Sequence, residues 1–237
     1  MDVWPTDKIP GVYVLCHPEK ERARFHRIIP HIVMRGIPKE TLRFIAPTWG
    51  DNIDNASIFK IYDPYLNRGS LPPFSFKASC LSKGEISLNI NFYSAIRHAL
   101  DNNKDDQYMI ILESDSYLRR DIVPRMNQIL ADLSGTEWDY VSLGEGVGTR
   151  PPGAEPSYYS EQKLYSPPHS WVFRCTDSMM FHPKFLKQLA STFLPFRECL
   201  DWELNFQLAL HQGKALWADP PVSEQGTCFR RYATGLA

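Results

Sequence analysis

Five oily residues, Tyr108 to Leu112 (YMIIL), stop abruptly at a carboxylate, a serine and a second carboxylate: Glu113, Ser114 and Asp115. A short apolar run of this kind reads as a strand buried on both faces, and such a strand needs helices on either side of its sheet. The neighbouring text supplies them. Residues 81 to 103, LSKGEISLNINFYSAIRHALDNN, place Ile86, Ile90, Tyr93 and Ile96 or Arg97 near one helical face, with Asn102 close to a natural stop. Residues 122 to 133 repeat Ile122, Met126, Ile129 or Leu130, and Leu133 at helical spacing, with Pro124 in the first turn.

The same alternation runs through the rest of the chain. GVYVL at 11 to 15 predicts a buried strand, and Pro18 is placed to start the charged helix PEKERARFHRII. Pro30 should kink or break that helix, Gly36 should end its continuation, and LRFIAP at 42 to 47 predicts a second strand. Further strands are expected at WDYVSLG, WVFRC and KALWAD, and further helices at PKFLKQLAST and DWELNFQLALHQG. Two stretches break the rhythm. Residues 49 to 80 are turn-rich and read as loop with short strands at most, and residues 144 to 170, dense in Gly, Pro, Ser and Tyr, predict a mobile lid or an acceptor-binding loop. Alternating strands and helices imply an α/β sandwich with a mostly parallel central sheet, whose ligands sit beyond the carboxyl ends of the strands. Glu113 and Asp115 lie at such an end.

The chain has 237 residues, 43% of them hydrophobic, enough for a sizeable core, and no repeat or clear boundary divides it; a single domain over 1 to 237 is expected, whether or not it belongs to a longer polypeptide. A net charge of -1 offers no general attraction for nucleic acid or an anionic membrane. No apolar stretch approaches the ~20 residues that cross a bilayer, and the start MDVWPTDKIPG lacks the blocks of a signal peptide, so a soluble, cytoplasmic chain is expected. The five cysteines are odd in number and scattered, which favours reduced thiols, and the seven histidines include no pair at metal-ligand spacing.

Hard divalent cations such as Mg²⁺ and Mn²⁺ take one or two protein carboxylates and complete their shell with water and phosphate oxygens. In an extended segment residues i and i+2 point the same way, so Glu113 and Asp115 can face one pocket. Two solvated acids in a turn would read the same from spacing alone.

The order of the surrounding motifs adds to this. LSKGEISLNINFYSAIRHAL followed by YMIILESDSYL resembles the pattern of glycosyltransferase family 25, in which a Gly-Glu-Ile segment opens a helix and precedes a strand ending in Glu-Asp-Asp. GVYVLCHPEKERARFHRI, FRCTDSMMFHPKFLKQL, CLDWELNFQL and PPVSEQGT resemble further family segments in the same order, so the likeness spans most of residues 11 to 227. The resemblance implies a GT-A fold and inverting transfer of a sugar from a nucleotide-sugar, most readily a UDP-sugar, to a glycan or glycosylated acceptor, with Mn²⁺ or Mg²⁺. It makes Asp115 the metal ligand, with Glu113 beside it, and puts Ser114 and Thr176 among the donor-binding positions. Three positions depart from the pattern: Ser114 replaces the middle acid, and Asn91 and Phe92 replace a Ser-His pair.

Several roles stay open at this level. Inverting transfer needs a base for the acceptor hydroxyl; Asp201, at the start of a buried helix and aligned by the resemblance with the family's acid, is preferred, and Glu203 can serve instead if Asp201 caps that helix. Glu85 either caps its own helix or lies near the donor sugar. Arg22 and Arg24 are candidates to meet the diphosphate, Thr176, Asp177 and Ser178 either meet the sugar or shape a turn, and Tyr158, Tyr159 and Tyr165 either stack on an acceptor or pin their loop. The principal rival is a catalytically silent nucleotide- or sugar-binding module. A nucleotidyltransferase is disfavoured because no Gly-rich phosphate loop follows the first strand.

Overall fold

Alternate residues of the central strands enter two different cores, which makes this a sandwich. The computed structural model describes residues 2–63, 81–145, 148–168 and 174–228. Its strands are β1 (Gly11–Leu15), β2 (Leu42–Phe44), β3 (Met109–Glu113), β4 (Ser116–Leu118), β5 (Tyr140–Ser142), β6 (Lys163–Tyr165), β7 (Ser178–Phe181), β8 (Ala215–Asp219) and β9 (Ser223–Gln225). Its α-helices are α1 (Arg22–Met34), α2 (Asn55–Ile61), α3 (Lys83–Asn102), α4 (Ile122–Leu133), α5 (Pro183–Thr192) and α6 (Leu200–Leu210).

Val12 and Val14 of β1, with Ile110 and Leu112 of β3, pack on Ile28 and Ile32 of α1 and on Met126 and Ile129 of α4. Tyr13, Leu15, Met109 and Ile111 point the other way, toward Phe92 and Ile96 of α3, Phe185 and Leu189 of α5, and Leu204 of α6. The period of two in the strands and of 3.6 in the helices thus yields three layers from one sequence pattern.

The seven-stranded sheet has the order β2-β1-β3-β7-β5-β8-β6. The strands β1, β2 and β3 run parallel, β7 is antiparallel to both β3 and β5, β5 and β8 are parallel, and β6 is reversed at the edge. All but β7 and β6 therefore point one way, and this mixed α/β sandwich with a mostly parallel sheet is consistent with the GT-A-like architecture. A separate two-stranded ribbon pairs β4 with β9. Among the described residues, no helix is long and apolar enough to cross a membrane.

Local chemistry explains where structure and expectation part. Helix α1 begins at Arg22, four residues beyond Pro18, because residues 18–20 form a turn and the Glu21 carboxylate accepts the His17 N–H at 2.8 Å. Pro30 lies on the exposed side of α1, and the helix carries through to Met34 before Gly36 adopts a φ of +87°. Helix α2 forms inside the stretch expected to be loop; Asp54 caps it by accepting the Ser57 N–H at 3.0 Å. The strand expected at WVFRC falls mostly on residues 171–173, which, like 64–80 and 169–170, lie outside the described residues; a strand forms at SMMF. Cys16, Cys175, Cys199 and Cys228 are free thiols.

Candidate functional site

A cleft of about 250 Å³ opens beyond the carboxyl ends of β1 and β3, lined among others by Leu15, Trp49, Glu113, Ser114, Asp115 and Thr227. Its walls are the start of α1, with Glu21 and Arg24, and the start of α3, with Ser82, Lys83 and Gly84. Thr48 fastens the loop that carries Trp49 to α3: its N–H and hydroxyl both donate to Asn91 Oδ1, at 3.1 and 2.9 Å, and its hydroxyl pairs with Ser87 Oγ at 3.1 Å. Asn91, where the family pattern has part of a Ser-His pair, is thus occupied in shaping the cleft wall.

The carboxylates gather because of strand direction. Since β7 runs against β3, its beginning sits beside the end of β3, and the Glu113 N–H donates to Asp177 O at 2.9 Å. Thr176 then reaches Glu113, donating from Oγ1 to Oε1 at 2.5 Å. Surrounding protein pushes the Glu113 carboxyl above its ordinary range, and the charges of Asp115, Asp177 and Asp201 push it in the same direction. Asp177 is fully buried; burial, with the Asp115 charge adding to it, raises its carboxyl to about 7 although Ser223 Oγ donates to its Oδ2 at 3.0 Å. A Cβ on Gly144 would collide with both oxygens of Asp177, so only glycine leaves room for that carboxylate.

Asp115 is 2% exposed and unevenly satisfied. Its Oδ2 accepts from Thr227 N at 2.9 Å and Thr227 Oγ1 at 2.8 Å, whereas its buried Oδ1 has no hydrogen-bond partner. Asp177 Oδ1 is in the same condition. A buried carboxylate oxygen left without a donor costs folding free energy, which makes one at a cleft-lining residue a position where a ligand could bind.

Ser114 does not leave the cleft without a middle acid. Its Oγ donates to Glu21 Oε1 at 2.5 Å, and Arg24 Nη1 donates to Ser114 Oγ at 3.0 Å and lies 3.3 Å from Glu21 Oε1. Of the two arginines singled out in the sequence, Arg24 therefore lines the cleft. Arg22 is exposed, outside the cleft lining, with its Nε 3.5 Å from His26 Nε2. Glu85 displays the capping role: its Oε2 accepts the Ser82 N–H at 2.8 Å while Ser82 Oγ accepts its own N–H at 3.3 Å.

The two acids of α6 differ sharply. Glu203 is wholly buried, and its oxygens accept from Arg197 N at 2.7 Å, Arg197 Nη1 at 3.1 Å and Gln207 Nε2 at 3.0 Å. Asp201 is half-buried, its charge is felt at Glu113, and its Oδ1 accepts from Trp202 N at 2.9 Å and from the Cys199 thiol at 3.1 Å. Cys199 stands at the N-cap position of α6 without a side-chain capping bond, and burial together with Asp201 pushes its thiol up to about 12. Tyr158 pins its loop: its hydroxyl donates to Glu145, its carbonyl accepts from Arg119 at 2.8 Å and Arg125 at 3.0 Å, and its ring lies under Arg150. Tyr159 alone of the three loop tyrosines is fully out, 92% exposed.

Sequence reasoning missed Glu21 and Thr227. Glu21 is camouflaged in the charged run PEKERAR, and Thr227 comes to Asp115 only through the β4–β9 pairing. Among the described residues, no three His, Cys, Asp or Glu side chains form a cage for a metal ion. The donor set instead fits a hard cation held by one or two carboxylates, with water and phosphate completing its shell, because Glu113 and Asp115 line the cleft and Asp115 Oδ1 is buried and unpartnered.

Fold and site together define an α/β sandwich that presents an acidic cleft beyond the carboxyl ends of its parallel strands. No protein-family model matches the chain, and no curated protein matches it. Among solved structures it is similar to S. aureus TarS 1-349, with a TM-score of 0.44 and 11% identity over 93% of this chain; it spans 62% of that chain.

Proposed function

We propose that the chain is a glycosyltransferase that moves a sugar from a nucleotide-sugar, a UDP-sugar first among them, to a hydroxyl of a glycan or glycosylated acceptor, with inversion and with Mn²⁺ or Mg²⁺ as cofactor. The observation that carries this reading is the unpartnered, buried Oδ1 of Asp115, a residue that lines a cleft beyond the strand ends, beside the Glu113 carboxyl that burial and neighbouring acids push up.

Asp115 would hold the cation, with Glu113 beside it. Bound there, the cation supplies charge that neutralises the diphosphate and stabilises the departing nucleoside diphosphate. Asp201 takes the acceptor proton as the hydroxyl oxygen attacks the anomeric carbon, and the electron pair of the broken carbon–oxygen bond leaves with the β-phosphate. Its Oδ1 is fixed by Trp202 N and Cys199 Sγ, yet the residue keeps the partial exposure that an acceptor requires. Glu203, saturated by Arg197 and Gln207, anchors α6 and is not the base. Arg24, shared between Glu21 and Ser114, presents its charge at the same wall of the cleft.

The test is nucleoside diphosphate release from a panel of UDP-, GDP- and CDP-sugars, with Mn²⁺ or with EDTA, and with simple glycans as acceptors. Metal-dependent release from one donor, lost in Asp201→Asn while nucleotide binding survives, is the expected result. Nucleotide binding without turnover against any acceptor would make the chain a binding module instead.

A further inference from the structure

We propose that Thr227 is a positioning residue for the cation site, selecting the Asp115 rotamer that holds Oδ2 and leaves Oδ1 unpartnered. This rests on the reading of Asp115 as a metal ligand and assigns a residue that its motif does not contain.

Asp115 follows β3 in a turn, and nothing in the turn itself fixes its side chain. The constraint comes from the far end of the chain. Ser223, Glu224 and Gln225 of β9 pair with Leu118, Tyr117 and Ser116 of β4, which carries residue 227 back to the residue just before β4. Gly226 N then donates to Asp115 O at 3.0 Å. A Cβ on Gly226 would lie 2.7 Å from Asp115 O and 2.8 Å from the Tyr117 ring, so glycine is what lets the two segments lie flush. Thr227 completes the clamp by donating twice to one oxygen, from N at 2.9 Å and from Oγ1 at 2.8 Å.

Two donors on Oδ2 and none on buried Oδ1 make the carboxylate asymmetric. Hydrogen bonds to an ionised acceptor are among the stronger ones, so the pair fixes the rotamer and leaves the lone pairs of the other oxygen for a cation. Thr227 also lines the cleft itself. The backbone donor survives any substitution at 227; the hydroxyl donor does not.

The experiment is Mn²⁺ binding to the full chain at saturating UDP, read from loss of the free-ion electron paramagnetic resonance signal, for wild type, Thr227→Val and Thr227→Ser. Loss of such a supporting hydrogen bond typically costs roughly 10- to 100-fold in metal affinity, and that loss is expected for Thr227→Val. Thr227→Ser keeps the hydroxyl and should restore binding to near the wild-type value, while UDP binding without metal stays equal in all three. Should Thr227→Val not fold, Thr227→Ala replaces it. Wild-type Mn²⁺ affinity in the hydroxyl-less variant overturns the assignment of Thr227. A wild-type protein that binds no Mn²⁺ in the presence of UDP overturns the metal reading of Asp115, and Thr227 with it.

Discussion

Two of the regions where this molecule buries charge treat it in opposite ways. At β8, Asp219 is nearly inaccessible, yet it pairs with Arg150 and lies 3.8 Å from Arg174 Nη1. Arg174 in turn donates to Ala218 O at 2.8 Å and to Ser142 O at 3.3 Å, and stacks on Trp217. Every charge there has a protein partner. Across the sheet, Glu113, Asp115 and Asp177 crowd together with two buried oxygens unpartnered and with the carboxyls of Glu113 and Asp177 raised. The first arrangement satisfies its charges within the fold; the second leaves acidic oxygens unsatisfied by the protein, and perturbed carboxyls on a cleft are where function is to be sought.

Breaking the paired region should give the largest effect. Asp219→Ala leaves Arg174 buried without its counter-charge, and urea unfolding should show a loss of roughly 3 to 5 kcal/mol. The corresponding change in the other region, Asp115→Asn, should leave unfolding free energy equal or higher while lowering nucleotide-sugar turnover by about 10² to 10³, the size seen when a group stabilising transition-state charge is removed. If both variants unfolded alike, the contrast between the two regions would be lost.

A weaker effect lies in the pH dependence. Asp177 binds its proton more tightly in the folded chain than unfolded, so it contributes stability at low pH that is lost as pH rises from its ordinary value toward about 7. The slope is at most about 1.4 kcal/mol per pH unit for one group. His182 and His211, whose pKa values burial lowers, act in the opposite direction near neutrality. Comparing wild type with Asp177→Asn cancels them: the stability of the variant relative to wild type should rise between pH 5 and 7, and a flat difference would contradict the placement of that carboxyl. The smallest effect belongs to Arg22→Ala, an exposed change outside the cleft, expected within about 0.5 kcal/mol of wild type and with unchanged turnover.

How much of this could be read from the chain follows the same divide between local and distant interactions. The helices over 122–133 and 183–192 are found at their expected bounds, because apolar periodicity and a proline in the first turn are local signals. The strand that delivers Glu113 is equally local. Helix α2 was hidden in turn-rich text because its amphipathic face is short and its Asp54 cap looks like one more turn residue. The antiparallel entry of β7, which brings Thr176 and Asp177 to the end of β3, and the β4–β9 ribbon, which brings Thr227 to Asp115, are pairings across sixty and more than a hundred residues. No window of sequence contains both partners. The motif Glu-Ser-Asp marked the place, and topology decided who else is there.

The central claim is that the crowded acids on the cleft are completed by a divalent cation and a nucleoside diphosphate. Calorimetric titration of UDP into wild type and Asp115→Asn, each with and without Mn²⁺, tests it most directly. Tight binding to wild type that requires Mn²⁺ and is lost in Asp115→Asn is the predicted result; UDP binding that is indifferent to both the metal and Asp115 would contradict it.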